Sequence, residues 1–162
     1  MPRRYRIFVL VAAAAIFLDQ ATKAIARHGL IPGRRGRTAV IAGWFDLELR
    51  FNTGGAFSLF QNVGGTRLWL TVIALAACVA LVVVLRRSRD AGALLAAGLA
   101  LLFAGALGNA IDRVTAGQVT DFVVWKVGRH EWPAFNVADA ALVVGVLGLL
   151  LLGGPRRARP EP

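Results

Sequence analysis

Long stretches of this chain carry almost no polar side chains. Leu68–Leu85 runs for 18 residues without a charge and Ala91–Ile111 for 21. Pro133 and Pro155 bracket another, interrupted only by Asn136 and Asp139. A helix crossing a hydrocarbon core needs roughly 20 mostly apolar residues, each adding about 1.5 Å to a path of about 30 Å. The pattern therefore predicts membrane-spanning helices over about 67–85, 91–112 and 134–152.

The amino-terminal segment admits two readings. Met1–Arg6 is basic, Ile7–Leu18 is apolar, and Ala24-Ile25-Ala26 has the small residues of a cleavage site, which together are the anatomy of a secretory signal peptide. Asp19, Gln20, Thr22 and Lys23 are more polar than such a segment carries, which favours a retained span over about 7–26. Outer loops then cover about 27–66 and 113–133. In the first, apolar and charged residues alternate strictly from Phe45 to Phe51, the period of a strand with one apolar face. Val119–Val127 is rich in β-branched residues and is also expected to be extended. Such apolar strand faces suit greasy or extended peptide ligands, and equally suit packing against the helix tops. The expected fold is an α-helical membrane protein, residues 1–162 forming a single polytopic domain of four transmembrane helices with a small extracytoplasmic β element.

Composition agrees. The chain is 57% hydrophobic and 17% charged, against about 45–50% and about 25% in soluble domains. A net charge of +10 raises the question of nucleic acid, but its placement answers no. Arg3, Arg4 and Arg6 precede the first span, Arg86, Arg87 and Arg89 lie between the second and third, and Arg156, Arg157 and Arg159 follow the fourth. With four spans these clusters share one side, which the positive-inside rule makes cytoplasmic, together with both termini. Trp44, Trp69, Trp125 and Trp132 all fall in or beside the outward loops, as an interfacial belt predicts. Cys78 is the single cysteine, His28 and His130 are far apart, and no metal-ligand cluster, nucleophile elbow or phosphate loop is present, so neither metal nor cofactor is expected.

Against this apolar background, Asp19, Lys23, Asn109, Asp112, Arg113, Asn136 and Asp139 lie within or at the ends of the expected spans. An Asp or Lys at a helix centre costs about 2.5–3.5 kcal/mol on insertion scales. The topology brings all of them to one layer just inside the outer interface, and Asp121 follows in the loop nine residues after Asp112. Asn136 and Asp139, like Asn109 and Asp112, are i,i+3 and share helix faces. Asp19 with Lys23 is an i,i+4 ion pair, and Asp112 with Arg113 suits a helix end pairing locally; these are structural readings. Asp139 has no basic neighbour within a turn, and an unpaired intramembrane carboxylate is by default a functional-site hypothesis. Close helix packing would bring it near Asp112 or Asp121. Two adjacent carboxylates in a dry site share a proton, so that one activates water while the other polarises a carbonyl.

The motifs carrying these residues resemble those of the lipoprotein signal peptidases (signal peptidase II) over nearly the whole chain. They are Asp19-Gln20-Ala21-Thr22-Lys23, Asn52-Thr53-Gly54-Gly55-Ala56-Phe57-Ser58, Gly108-Asn109-Ala110-Ile111-Asp112-Arg113, Val119-Thr120-Asp121-Phe122-Val123 and Phe135-Asn136-Val137-Ala138-Asp139. Ala104-Gly105 departs from an expected pair of glycines, a difference confined to packing, and the basic stretch from Gly33 to Arg37 matches no motif. The resemblance implies an aspartic endopeptidase of the bacterial inner membrane with Asp121 and Asp139 as its catalytic pair. It implies that Asn52, Gly54, Asn109, Arg113 and Asn136 serve the substrate or support the pair, and that Asp19, Lys23 and Asp112 hold the site together. Ser58 near Lys23 has the residues of a Ser/Lys protease, but the resemblance argues against Ser58 as nucleophile. The implied partners are membrane lipids, globomycin-type inhibitors and a prolipoprotein cut before its diacylglyceryl-modified cysteine. A small proton- or cation-coupled transporter built on Asp139 is the chief rival, and a non-catalytic assembly factor a weaker one.

Overall fold

The computed structural model describes residues 1–31, 36–53, 65–89 and 91–152. In chain order the elements are α1 (Arg3–Gly29), β1 (Thr38–Ile41), β2 (Phe45–Asn52), α2 (Thr66–Arg87), α3 (Ala93–Ala116), β3 (Val119–Val127), β4 (His130–Glu131) and α4 (Val137–Leu152). The first three helices are long and apolar enough to cross a membrane, and α4 is a shorter apolar helix. The strands form one antiparallel sheet in the order β1-β2-β3-β4.

Helix α3 is the hub, packing against each of the other three helices. Its small residues make this possible. A methyl group on Gly105 would lie 2.5 Å from the Ala138 carbonyl oxygen, and one on Gly108 would lie 2.6 Å from Asp19 Oδ2. These two glycines let α4 and α1 close on α3 at the level of the polar side chains. At the other end of the helices an apolar cluster of Phe8, Ala12, Leu85, Ala96, Leu99 and Ala100 joins α1, α2 and α3.

Helix α3 ends in a left-handed cap at Gly117 (φ 79°), whose N–H donates to the Arg113 carbonyl. The reversal is abrupt, and β3 begins two residues later. It carries Asp121 back over the end of the helix that holds Asn109 and Asp112. The segment before α4 then runs along β3: Phe122 and Val123 donate to the Phe135 carbonyl, and Phe135 N–H donates to that of Val123. This pairing explains why the fourth helix begins at Val137 rather than at 134. Pro133–Asn136 is spent as extended chain against the sheet.

The sheet departs from expectation in a second way. In β2 the charged residues Asp46 and Glu48 are buried, at 1% and 2% exposure, while Phe51 is 43% exposed. A register irregularity between Leu47 and Arg50 breaks the strict alternation and buries Leu49 beside Glu48. Leu49 packs with Ala26 and Phe122, so this part of the sheet rests on the top of α1. Asp46 and Glu48 are matched by Arg37, at 2.8 and 3.0 Å, with Lys126 also on Asp46 and Arg50 on Glu48. Arg37 and Arg50 reach Glu131 on β4 as well. Arg37, from the basic stretch that matched no motif, thus ties the β1 side of the sheet to β2 and β4. Trp44, Trp69, Trp125 and Trp132 are each more than half exposed, which suits an interfacial belt.

The close approach at Gly105 is testable. Gly105→Ala drives a methyl into backbone and should destabilise by roughly 1–3 kcal/mol, lowering the thermal midpoint in detergent. Gly148→Ala, where a methyl meets nothing within 4 Å, should leave the midpoint unchanged or raise it slightly. Equal midpoints for the two variants would refute the close-packing account.

Candidate active site

The polar side chains of the spans meet in one connected network. Lys23 of α1 is fully buried, and its ammonium reaches Asp19 Oδ2 at 2.9 Å, Asn109 Oδ1 at 3.0 Å and Asp112 Oδ2 at 3.2 Å. Those three acceptors match its three protons. One turn further along α1, Arg27 donates to Asp112 Oδ1 and to Thr120 Oγ1, each at 2.8 Å. Gln20 donates to both Asp19 and Asp112, and Thr120 N–H donates to Asp112 Oδ2 at 2.9 Å. Asp19 and Asp112 are therefore neutralised by Lys23 and Arg27. The i,i+4 pair of Asp19 and Lys23 exists, but it is one edge of a larger cluster. Asp112 and Arg113 do not end their helix: it continues to Ala116, and Asp112 pairs across to α1 instead of locally.

This cluster positions a second one. Asp19 Oδ1 accepts the N–H of Ala138 at 2.9 Å, which caps the start of α4 from α1. Asn136 and Asp139 form a reciprocal capping box. Asp139 N–H donates to Asn136 Oδ1 at 3.0 Å, and Asn136 N–H donates to Asp139 Oδ2 at 3.2 Å. Asp139 Oδ1 accepts from Asn109 Nδ2 at 2.8 Å, so its carboxylate is held from two helices. Asn136 also donates from Nδ2 to Asp121 Oδ1 at 2.7 Å and lies 3.2 Å from both Asn109 Oδ1 and the Thr120 carbonyl. Asn52, at the end of β2, donates to Asp121 Oδ2 at 3.3 Å. Asn136 thus engages both carboxylates, Asp121 through its side-chain amide and Asp139 through its backbone N–H. Of the alternatives open from sequence, Asp139 is brought to Asp121 and not to Asp112.

Neither Asp121 nor Asp139 forms an ion pair among the described residues, and both border a cavity of about 860 Å³. Asn52, Asn109 and Arg113 also line it, while Leu70 and Ile73 of α2 and Leu142 and Val143 of α4 supply apolar walls over Gly105 and Ala106 of α3. Burial, and after it repulsion from Asp139, pushes the Asp121 carboxyl up to about 7, against the opposing hydrogen bonds of Asn52 and Asn136 and the field of Lys23. No group of three or more His, Cys, Asp or Glu able to hold a metal occurs among the described residues.

Gly54 and Ser58 lie outside the described residues. Gln20, Arg27 and Thr120 belong to the network without having been singled out from sequence. Arg27 carried a usable signal, since Asp19, Lys23 and Arg27 continue one i,i+4 stripe. Gln20 and Thr120 sat inside recognised motifs but had no spacing that set them apart.

The fold and this layer define a polytopic membrane enzyme with paired carboxylates at an apolar cavity. A family model described as signal peptidase (SPase) II matches residues 11–153. A lipoprotein signal peptidase of Geobacter metallireducens is 42% identical over 158 residues, covering 93% of this chain and 92% of that protein. One from Azoarcus is 38% identical over 156 residues, covering 96% and 86%. A solved bacterial membrane enzyme superposes with a TM-score of 0.80 at 30% identity over 96% of this chain and 93% of that one. A second gives 0.77 at 31% identity over 89% and 90%. The chain belongs to the signal peptidase II family, and is a protease of the bacterial inner membrane that cleaves lipoprotein signal peptides.

Two measurements probe this layer. Asp112 is fully buried between two cations, so Asp112→Asn should cost about 3–5 kcal/mol and appear as lost yield and a lower midpoint. Turnover per folded molecule should fall less. For Asp121 the folded pKa lies above its unfolded value of about 3.9. The stability it contributes is complete below that value and is lost as pH climbs through about 7. Asp121→Asn should therefore unfold at a higher temperature than wild type at about pH 8, the gap closing toward about pH 4. A gap that does not vary with pH would contradict the burial argument.

Proposed function

We propose that Asp121 and Asp139 are the catalytic pair of an aspartic endopeptidase that cuts a prolipoprotein immediately before its diacylglyceryl-modified cysteine. The observation that carries this reading is Asn136 bridging two carboxylates that form no ion pair among the described residues and face a largely apolar cavity. Like charges in a dry site keep one proton between them. The ionised member takes a proton from water, whose oxygen attacks the scissile carbonyl carbon. The protonated member donates to the carbonyl oxygen. Collapse of the tetrahedral intermediate breaks the C–N bond, and a proton passes to the leaving cysteine amine. Asn109 and Asn136 orient Asp139, while Asn52 and Asn136 orient Asp121; Gly54 and Arg113 serve the substrate.

The apolar walls of α2 and α4 suit acyl chains and an apolar signal peptide. With the basic clusters on the cytoplasmic side, both termini are cytoplasmic and the pair sits near the outer face, where the whole chain works as one unit. A lipid-anchored cysteine presents its scissile bond at that level. Globomycin-type inhibitors occupy the same cavity.

A gel-shift assay in detergent with a diacylglyceryl-modified precursor tests the proposal. Wild type should cleave, and Asp121→Asn and Asp139→Asn should each lose about 10²–10⁴-fold in rate while remaining folded. Full activity in either variant removes that aspartate from the mechanism. A folded wild type that neither cleaves nor binds globomycin, yet moves protons, would establish the transporter instead.

A further inference from the structure

Two of the three cations in the buried layer are committed. Lys23 and Arg27 hold Asp19 and Asp112. Arg113 is 9% exposed and forms no ion pair among the described residues. A hydrogen bond from its Nη1 to the Asn109 carbonyl is long at 3.4 Å, and its Nε is buried without a partner among the described residues. The same side chain lines the cavity beside Asp121 and Asp139. A buried guanidinium with an idle donor is costly until an acceptor arrives. Its planar fork matches a carboxylate or a phosphate, and peptide hydrolysis supplies a carboxylate.

Resting on the proposed function, we propose that Arg113 is a carboxylate subsite that retains the released signal peptide by its newly formed C-terminus. Hydrolysis adds the water oxygen to the carbonyl carbon and sends the electron pair of the broken C–N bond to the amine. What remains on the signal peptide is a carboxylic acid, which is ionised at neutral pH. It is formed inside the cavity, where among the described residues Arg113 is the cation lining the wall.

The charges facing Arg113 make this capture proton-linked. Asp112, on its own helix, is neutralised by Lys23 and Arg27, and Asp19 on α1 by Lys23. Arg67 of α2 is turned to the Val114 carbonyl. Asp121 on β3 and Asp139 on α4 remain, and with one shared proton their single negative charge balances Arg113. A product carboxylate adds a second negative charge, so its retention draws a further proton onto the pair. Loss of that proton then favours release, coupling product departure to the protonation state that begins the next cycle.

The test is binding of two synthetic peptides to the full chain in detergent. Both carry a lipoprotein signal sequence ending at the cleavage point, one as the free acid and one as the primary amide. At about pH 6 the acid should bind at least about tenfold more tightly than the amide, and the preference should vanish by about pH 9. Arg113→Gln should bind acid and amide alike, and Arg113→Lys should keep part of the preference. Equal affinity of wild type for both peptides at the lower pH overturns the subsite, whether or not the variants fold. A preference that does not change with pH overturns the proton coupling. If the lipidated precursor is cleaved but neither peptide binds, the subsite is wrong and the proposed function stands. If the precursor is not cleaved and neither peptide binds, both are wrong.

Discussion

A lysine ammonium with no access to water persists only if each of its protons finds an acceptor and its charge is matched. Lys23 meets that condition with Asp19, Asn109 and Asp112, drawn from α1 and α3. The requirement ties together much of the molecule. Asp19 can accept from Lys23 and Ala138 at once only if α4 starts against α1. Asn109 can accept from Lys23 through its oxygen only if its amide nitrogen faces Asp139. Asp112 is saturated only when β3 returns close enough for Thr120 to donate. Satisfying one buried cation thus sets the positions of the two aspartates, neither of which touches it.

The layer divides into a half neutralised by ion pairs and a half that faces the cavity. Asp19, Asp112, Lys23 and Arg27 cancel one another and behave as scaffold. Asp121, Asp139 and Arg113 face the cavity, held by amides and backbone with no direct ion pair among the described residues. Amides can fix a carboxylate in place without setting its charge, whereas a salt bridge would lock it ionised. The proposed catalytic pair, which would exchange protons, is well served by the first arrangement. The three asparagines Asn52, Asn109 and Asn136 supply it, each engaging one or both aspartates.

The sheet repeats the principle outside the spans. Asp46 and Glu48 are buried because Arg37, Arg50 and Lys126 converge on them from neighbouring segments. Those cations, with Glu131, brace the strands that carry Asn52 and Asp121. Glu131 is held below the usual carboxylate range by its hydrogen bond from Arg37, opposed in part by burial, with a further contribution from Arg50. A strand pattern that looks half apolar can therefore bury its charged side when counter-charges arrive from elsewhere.

Hydropathy and charge placement determined by themselves that the chain is a membrane protein with four apolar helices, and motif resemblance singled out the aspartates. These are local properties: a run of apolar side chains must leave water whatever its neighbours are, and a motif is contiguous. The extents of β3 and most of β2 were legible for the same reason. Tertiary structure decided which partner each buried charge takes, that Asp139 meets Asp121 rather than Asp112, and that α4 starts three residues later than its sequence suggests. It also decided which side of β2 faces inward. Each of these depends on groups brought together from far along the chain, and the energy of a buried charge or an unpaired backbone group is fixed by what lies across from it, not by what lies beside it in sequence.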